Sequence, residues 1–271
     1  MAETYRELPP PGPIHPGSGR APLRKRLGGL LAPLAALAIK AKSLLFLVAN
    51  VKLLATFGSM AVSIVAYGWL FGFTFAIGFV ALLLLHEMGH VIQLRREGIK
   101  ASAPIFIPFL GAVIASKSLG KDAAAEARVG LAGPILGSIA TLVPLGIWLG
   151  TGDEFWRALA YLGFFLNLFN LVPVVPLDGG RAMAALSPVV WVAGLAGLIV
   201  LAFIYPSPIL ILIVVFGGYE SYRRWKSRNL PQNRAYYAVP GRTRAAVAVV
   251  YLGLAAALSV GVAETFVSRG F

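Results

Sequence analysis

Apolar runs of about twenty residues recur along the chain, separated by short clusters rich in Lys and Arg. A helix needs roughly that length to cross the hydrocarbon of a bilayer. The pattern predicts spans over residues 52–72, 73–94, 129–149, 155–174, 188–204, 207–222 and 244–265. The first two are joined by almost no loop, at Phe71-Gly72-Phe73. Residues 28–51 are also apolar but carry Lys40 and Lys42 in mid-segment, which predicts a helix lying on the membrane surface. Residues 1–27 are rich in Pro, Gly and polar residues and end in Arg24-Lys25-Arg26. They read as a disordered basic tail, without the apolar core of a cleaved signal peptide.

One apolar piece does not fit the helical pattern. Ala103 to Ala115 lies inside the polar region 95–128 and is too short to cross as a helix. Its β-branched and aromatic content, with Pro104 and Pro108, predicts a re-entrant, partly extended element over 103–116. Non-helical backbone at membrane depth must be covered by protein or line a wet cavity. The expected fold is therefore an all-α polytopic membrane protein, with six to seven transmembrane helices and one short extended element. The transmembrane domain is expected over residues 52–271.

Composition agrees. Hydrophobic residues make up 58% of the chain and charged residues 13%, against about 25% charged in soluble domains. The net charge of +13 does not indicate nucleic acid, because the basic residues flank apolar segments and carry no recognition motif. With the N-terminus in the cytoplasm, all of the 24 Lys and Arg except Arg157 and Arg269 fall on the cytoplasmic side. Positive loops against an anionic cytoplasmic leaflet point to a multi-pass plasma-membrane protein whose surroundings are lipid. Absence of cysteine excludes disulfides and thiolate metal sites. Gly130, Gly133 and Gly137 form a small-residue face on the third span, suited to close helix packing.

Two of the three histidines occur in His86-Glu87-Met88-Gly89-His90. Residues four apart share a helix face, so both imidazoles can reach one ion, and Glu87 can accept a proton from an activated water. The motif ends an almost wholly apolar run, Phe75 to Leu85. Counting back from Arg95 sets the histidines roughly 7–14 Å below the cytoplasmic surface. A catalytic zinc takes three protein ligands. His15 lies in the tail, Asp122 and Glu126 in a polar loop, and Glu220 beside Arg223 and Arg224 reads as a surface ion pair. Asp178 stands out. It follows an apolar helix broken by Pro173 and Pro176 and precedes Gly179 and Gly180, which permit a sharp bend. Its depth and side of the membrane match those of the histidines. Asn170 and Asn167 share a face of the preceding span, where polar side chains often bond neighbouring helices; Asn167 reads as structural.

HEMGH followed much later by Asn170-x-x-Pro-x-x-Pro-Leu-Asp-Gly-Gly-Arg181, with Leu131-Ala132-Gly133-Pro134 between, resembles the site-2 protease family of intramembrane metalloproteases. The resemblance covers residues 52–222. It implies one Zn2+ held by His86, His90 and Asp178, with Glu87 activating water. It also implies cleavage of membrane-spanning protein substrates, with 103–116 holding the substrate as an added strand. Asn170 then either orients substrate or stabilises oxyanion charge, or only packs. Two other classes remain open: a transporter or ion-binding protein using the His/Asp cluster, and a catalytically silent relative acting through membrane interactions.

Overall fold

The computed structural model describes residue 51 and residues 54–266, apart from 117, 119 and 229. The expected tail and nearly all of the expected surface helix, with His15, lie outside the described residues. Helix α1 (Leu54–Phe71) and α2 (Phe73–Arg96) are joined at Gly72, whose φ of +88° a side chain would disfavour. A hairpin follows, β1 (Ile105–Ile107) and β2 (Gly111–Val113). The remaining helices are α3 (Ala123–Thr151), α4 (Glu154–Asn170), α5 (Asp178–Met183), α6 (Pro188–Ile204), α7 (Pro208–Arg228), α8 (Pro231–Arg234) and α9 (Gly241–Thr265).

Among the described residues, α1, α2, α3 and α9 are long and apolar enough to cross a membrane. The architecture is that of an all-α membrane protein with one small hairpin. Helix α6 is apolar but shorter, at 17 residues. Large apolar side chains such as Trp69, Phe203 and Val249 face outward, as lipid-facing surface requires. The centre is α3, packed against α2, α4 and α5. The Trp191 indole on α6 is fully buried, and its Nε1 donates to the Gly180 carbonyl at 2.8 Å. That bond ties α6 to α5.

The 103–116 segment is the expected extended element. Ile105, Phe106 and Ile107 pair antiparallel with Val113, Ala112 and Gly111, and Ala101 bridges Ser116. Helix α1 holds the hairpin from outside. Ser59 Oγ accepts from the Phe106 N–H at 3.0 Å, and Tyr67 Oη accepts from the Phe109 N–H at 2.9 Å. Phe109 has a φ of +65° at the tip.

Two local expectations are corrected. The third span begins at Ala123, not near 129, because the Asp122 side chain accepts from the Ala125 N–H at 2.7 Å and caps a run of alanines. Glu126 is therefore not a solvated loop residue. It is 1% exposed, pairs with Arg224 Nη1 at 2.8 Å and accepts from the Tyr236 hydroxyl. Burial, and then the Glu126 carboxylate, push the Tyr236 phenol above its ordinary value. Glu220 does pair with Arg223 and Arg224, as its position suggested. The second correction concerns Gly179 and Gly180. Neither has positive φ, and both lie inside α5. They permit contact instead: a Cβ on Gly179 would overlap the Leu171 carbonyl, and one on Gly180 the Val175 backbone.

The buried Glu126–Arg224 pair ties the start of α3 to α7. Arg224→Met leaves a buried carboxylate uncompensated and is expected to destabilise the fold by about 3–5 kcal/mol. Adding Glu126→Gln should return most of that loss. Denaturant unfolding in micelles measures both; an unchanged midpoint for the single variant would refute the account.

Candidate metal centre

His86 and His90 lie one turn apart on α2, and both are buried. Asp178, first residue of α5, is also buried and meets them. Its Oδ2 is 3.1 Å from His86 Nε2 and 3.1 Å from His90 Nε2, and the two Nε2 atoms are 3.3 Å apart. The opposite ring nitrogens are engaged elsewhere. His90 Nδ1 donates to the Val129 carbonyl and His86 Nδ1 to Asn167 Oδ1, each at 2.8 Å.

These outer bonds decide what the inner atoms are. A carbonyl only accepts, so each Nδ1 carries the proton and each neutral ring offers a lone pair at Nε2. Three acceptors then converge on one point: two imidazole nitrogens and a carboxylate oxygen. Such a set suits a cation. Ligand atoms around a tetrahedral zinc lie about 3.3–3.5 Å from one another, given bonds of about 2.0–2.2 Å. The observed separations fall within a few tenths of an ångström of that range. The three residues therefore form a group that can hold a divalent ion.

The glycine face of α3 is cut to this site. A Cβ on Gly133 would overlap the His90 ring, one on Gly137 would overlap Asn167 Oδ1, and one on Gly130 would press on the Asp178 carbonyl at 2.8 Å. Gly89, inside the HEMGH motif, lies against the Ala132 backbone in the same way. The face expected to serve packing thus gives room to the His90 ring, to Asn167 and to the start of α5, which carries Asp178.

Glu87 is buried and accepts no hydrogen bond from the described residues. It lines a cavity of about 530 Å³ together with His90, Asp178, Asn170 and Arg181. The opposite wall is the hairpin, from Phe109 to Ile114. Arg181 Nη1 is 3.9 Å from Asp178 Oδ1. Asn170 does not touch the three converging groups; its Nδ2 donates to the Leu166 carbonyl at 3.0 Å. Of the residues singled out in the sequence, His86, His90 and Asp178 come together, Glu87 and Asn170 share the adjoining cavity, and Asp122, Glu126 and Glu220 lie elsewhere. Asn167, read as structural, bonds a member of the cluster directly. Its only signal was a polar residue in an apolar span, which does not say what it faces.

A model of peptidase family M50 matches residues 74–152 and 150–193. "Zinc metalloprotease MJ0392" from Methanocaldococcus jannaschii is 31% identical over 109 residues, 38% of this chain and 31% of that protein. "Putative zinc metalloprotease Rip3" from Mycobacterium tuberculosis is 35% identical over 127 residues, 43% of this chain and 32% of that protein. The chain thus spans about a third of the length of the relatives it matches. The matched residues include His86, Glu87, His90 and Asp178.

Gly133→Ala forces a methyl group into the His90 ring. Overpacking of this kind costs about 1–3 kcal/mol, and a displaced ring cannot keep Nε2 on the common point. The variant is expected to bind zinc more weakly than the wild type, as read by titration against a competing chelator. Wild-type affinity in Gly133→Ala would show that the α3 surface does not shape the site. Residues 74–193 match peptidase family M50, the site-2 protease family.

Proposed function

We propose that the chain is an intramembrane zinc metalloendopeptidase that hydrolyses membrane-spanning protein substrates. The observation that supports this most is the convergence of His86, His90 and Asp178 beside a free, buried carboxylate, Glu87, at the edge of a peptide-sized cavity. The names of the M50 relatives point the same way. When bound, one zinc ion supplies Lewis-acid activation of water and of the scissile carbonyl. His86, His90 and Asp178 hold it. Glu87 removes the proton of the attacking water and delivers it to the departing amide nitrogen. Asn170 uses one N–H on Leu166, which leaves a second to meet the substrate or the developing oxyanion. Among the described residues the edge of β2 opposite β1 has no strand partner, so an extended substrate segment can add there.

The finer topology belongs to the same proposal. The protease domain falls within residues 52–271. Helices α4, α6 and α7 join the four long spans as crossings, giving six to seven, and the hairpin is re-entrant. The N-terminus is cytoplasmic and the membrane is the plasma membrane, as the sorting of Lys and Arg implies.

Glu87→Gln keeps the shape of the side chain and loses the base. It is expected to retain zinc while cleavage of a membrane-spanning model substrate falls about 10²–10⁴-fold. Asp178→Ala should lose both zinc and cleavage, because a catalytic zinc needs its third protein ligand. Loss of metal in Glu87→Gln, or an active, metal-replete Asp178→Ala, would reverse the assigned roles. Zinc uptake into vesicles without cleavage would favour the transporter reading.

Orientation has its own test, made simple by a chain without cysteine. Asp153 is exposed at the α3–α4 turn. An Asp153→Cys variant should react with an impermeant thiol reagent from the extracellular side. Reaction from the cytoplasmic side alone would invert the topology.

A further inference from the structure

An imidazole that gives Nε2 to a metal needs its other nitrogen protonated and held still. His90 achieves this through the main chain, at the Val129 carbonyl. His86 relies on a side chain, Asn167 on α4. The two rings of one site are therefore oriented by different means, and only one of those means can be altered by a side-chain substitution.

The Asn167 amide is itself fixed. Its Nδ2 donates to the Gly163 carbonyl one turn earlier at 2.7 Å, which leaves Oδ1 to face His86. Turned over, the amide would set N–H against N–H and lose both bonds. Asn167 is 1% exposed, so no water replaces a lost partner. Its surroundings admit it closely. Gly137 on α3 leaves room for Oδ1, and Gly163 packs on the Thr141 side chain, whose hydroxyl donates to the Gly137 carbonyl at 2.8 Å. These contacts draw α4 close enough for an asparagine to reach across to α2. An amide also adds no charge to a site that already holds two carboxylates, Glu87 and Asp178.

We propose that Asn167 is the positioning residue that sets the tautomer and ring orientation of His86, and through them the affinity of the site for a divalent ion. This role rests on His86, His90 and Asp178 being the metal ligands. Losing such an outer partner lowers metal affinity about 10–100-fold.

The test uses the full chain in detergent micelles, stripped of metal and titrated with zinc against a chromophoric chelator. Melting of the metal-free protein is recorded in parallel. Asn167→Leu removes the acceptor at nearly constant shape and is expected to lose about 10–100-fold in zinc affinity, with melting of the metal-free form unchanged. Asn167→Asp restores an acceptor and should recover most of that affinity. Wild-type zinc affinity in Asn167→Leu overturns the proposal. So does equal weakening in both variants with a matching fall in metal-free melting, which would mark Asn167 as a packing residue. Failure of the metal reading itself looks different: the wild type, His86→Ala and both Asn167 variants would then bind zinc equally poorly.

Discussion

Two imidazoles and two carboxylates within a few ångströms of one another, inside an apolar helical bundle, are costly unless every polar atom has a direction and a partner. Here the outer nitrogens of both histidines face acceptors, so the inner nitrogens and Asp178 Oδ2 face one another. Much of the surrounding structure follows from that requirement. Helix α3 must come close enough for the Val129 carbonyl to reach His90, and it does so on a glycine face. Helix α4 must bring an amide to His86. The chain after α4 must leave the helix, turn back and present a carboxylate from the start of α5. Each of these approaches would meet a steric block if Gly133, Gly137 or Gly179 carried a Cβ.

How far each part could be read from the chain depends on how local its cause is. The HEMGH pair is local: four residues on one helix face is a property of any α-helix. Its burial was legible from the apolar run before it. The hairpin was legible for a negative reason, being too short and too proline-marked for a crossing helix. Asp178 required a longer step, through the proline break and the side of the membrane. The start of α3 was missed because one cap, Asp122, outweighs the polarity of the residues around it. Glu126 looked solvated because its partners, Arg224 and Tyr236, are about a hundred residues away. Asn167 was undervalued for the same reason. Gly163 of α4 packs against Thr141 of α3 and Leu82 of α2, and a single helix carries no trace of those neighbours.

The hairpin shows how an element foreign to a helical bundle is accommodated. It is bonded to α1 through Ser59 at β1 and Tyr67 at the tip, and Tyr67 also packs edge-on against Phe79 and Phe109, with ring centroids 5.1 and 5.2 Å away. These bonds satisfy backbone N–H groups that would otherwise face an apolar environment. They also make α1 and the hairpin one wall of the cavity, across from Glu87 and Asp178. The tip of the hairpin is thus positioned by the first helix, while the three converging side chains are positioned by α2 and α5. A displacement of α1 would change the shape of the cavity and leave the three converging groups untouched, because none of their hydrogen bonds involves α1 or the hairpin.

Helix α3 therefore carries two separable duties. Its first turn is anchored toward α7 by Glu126 and toward the end of α2 by Arg128, whose guanidinium donates twice to Glu97 and holds that carboxyl below its ordinary value. Its next turns are the glycine face beneath the histidines. Because Val129, Gly130 and Gly133 follow directly on these anchors, the Arg128–Glu97 pair helps to fix the register of α3 against α2 at the polar ends of the two helices. The same register aims the His90 ring at depth. A bundle of apolar helices alone would leave that register weakly specified, since one lipid-like face slides on another at little cost. Polar contacts at the rim, and glycine contacts below it that fit only one way, remove the freedom the apolar surfaces leave.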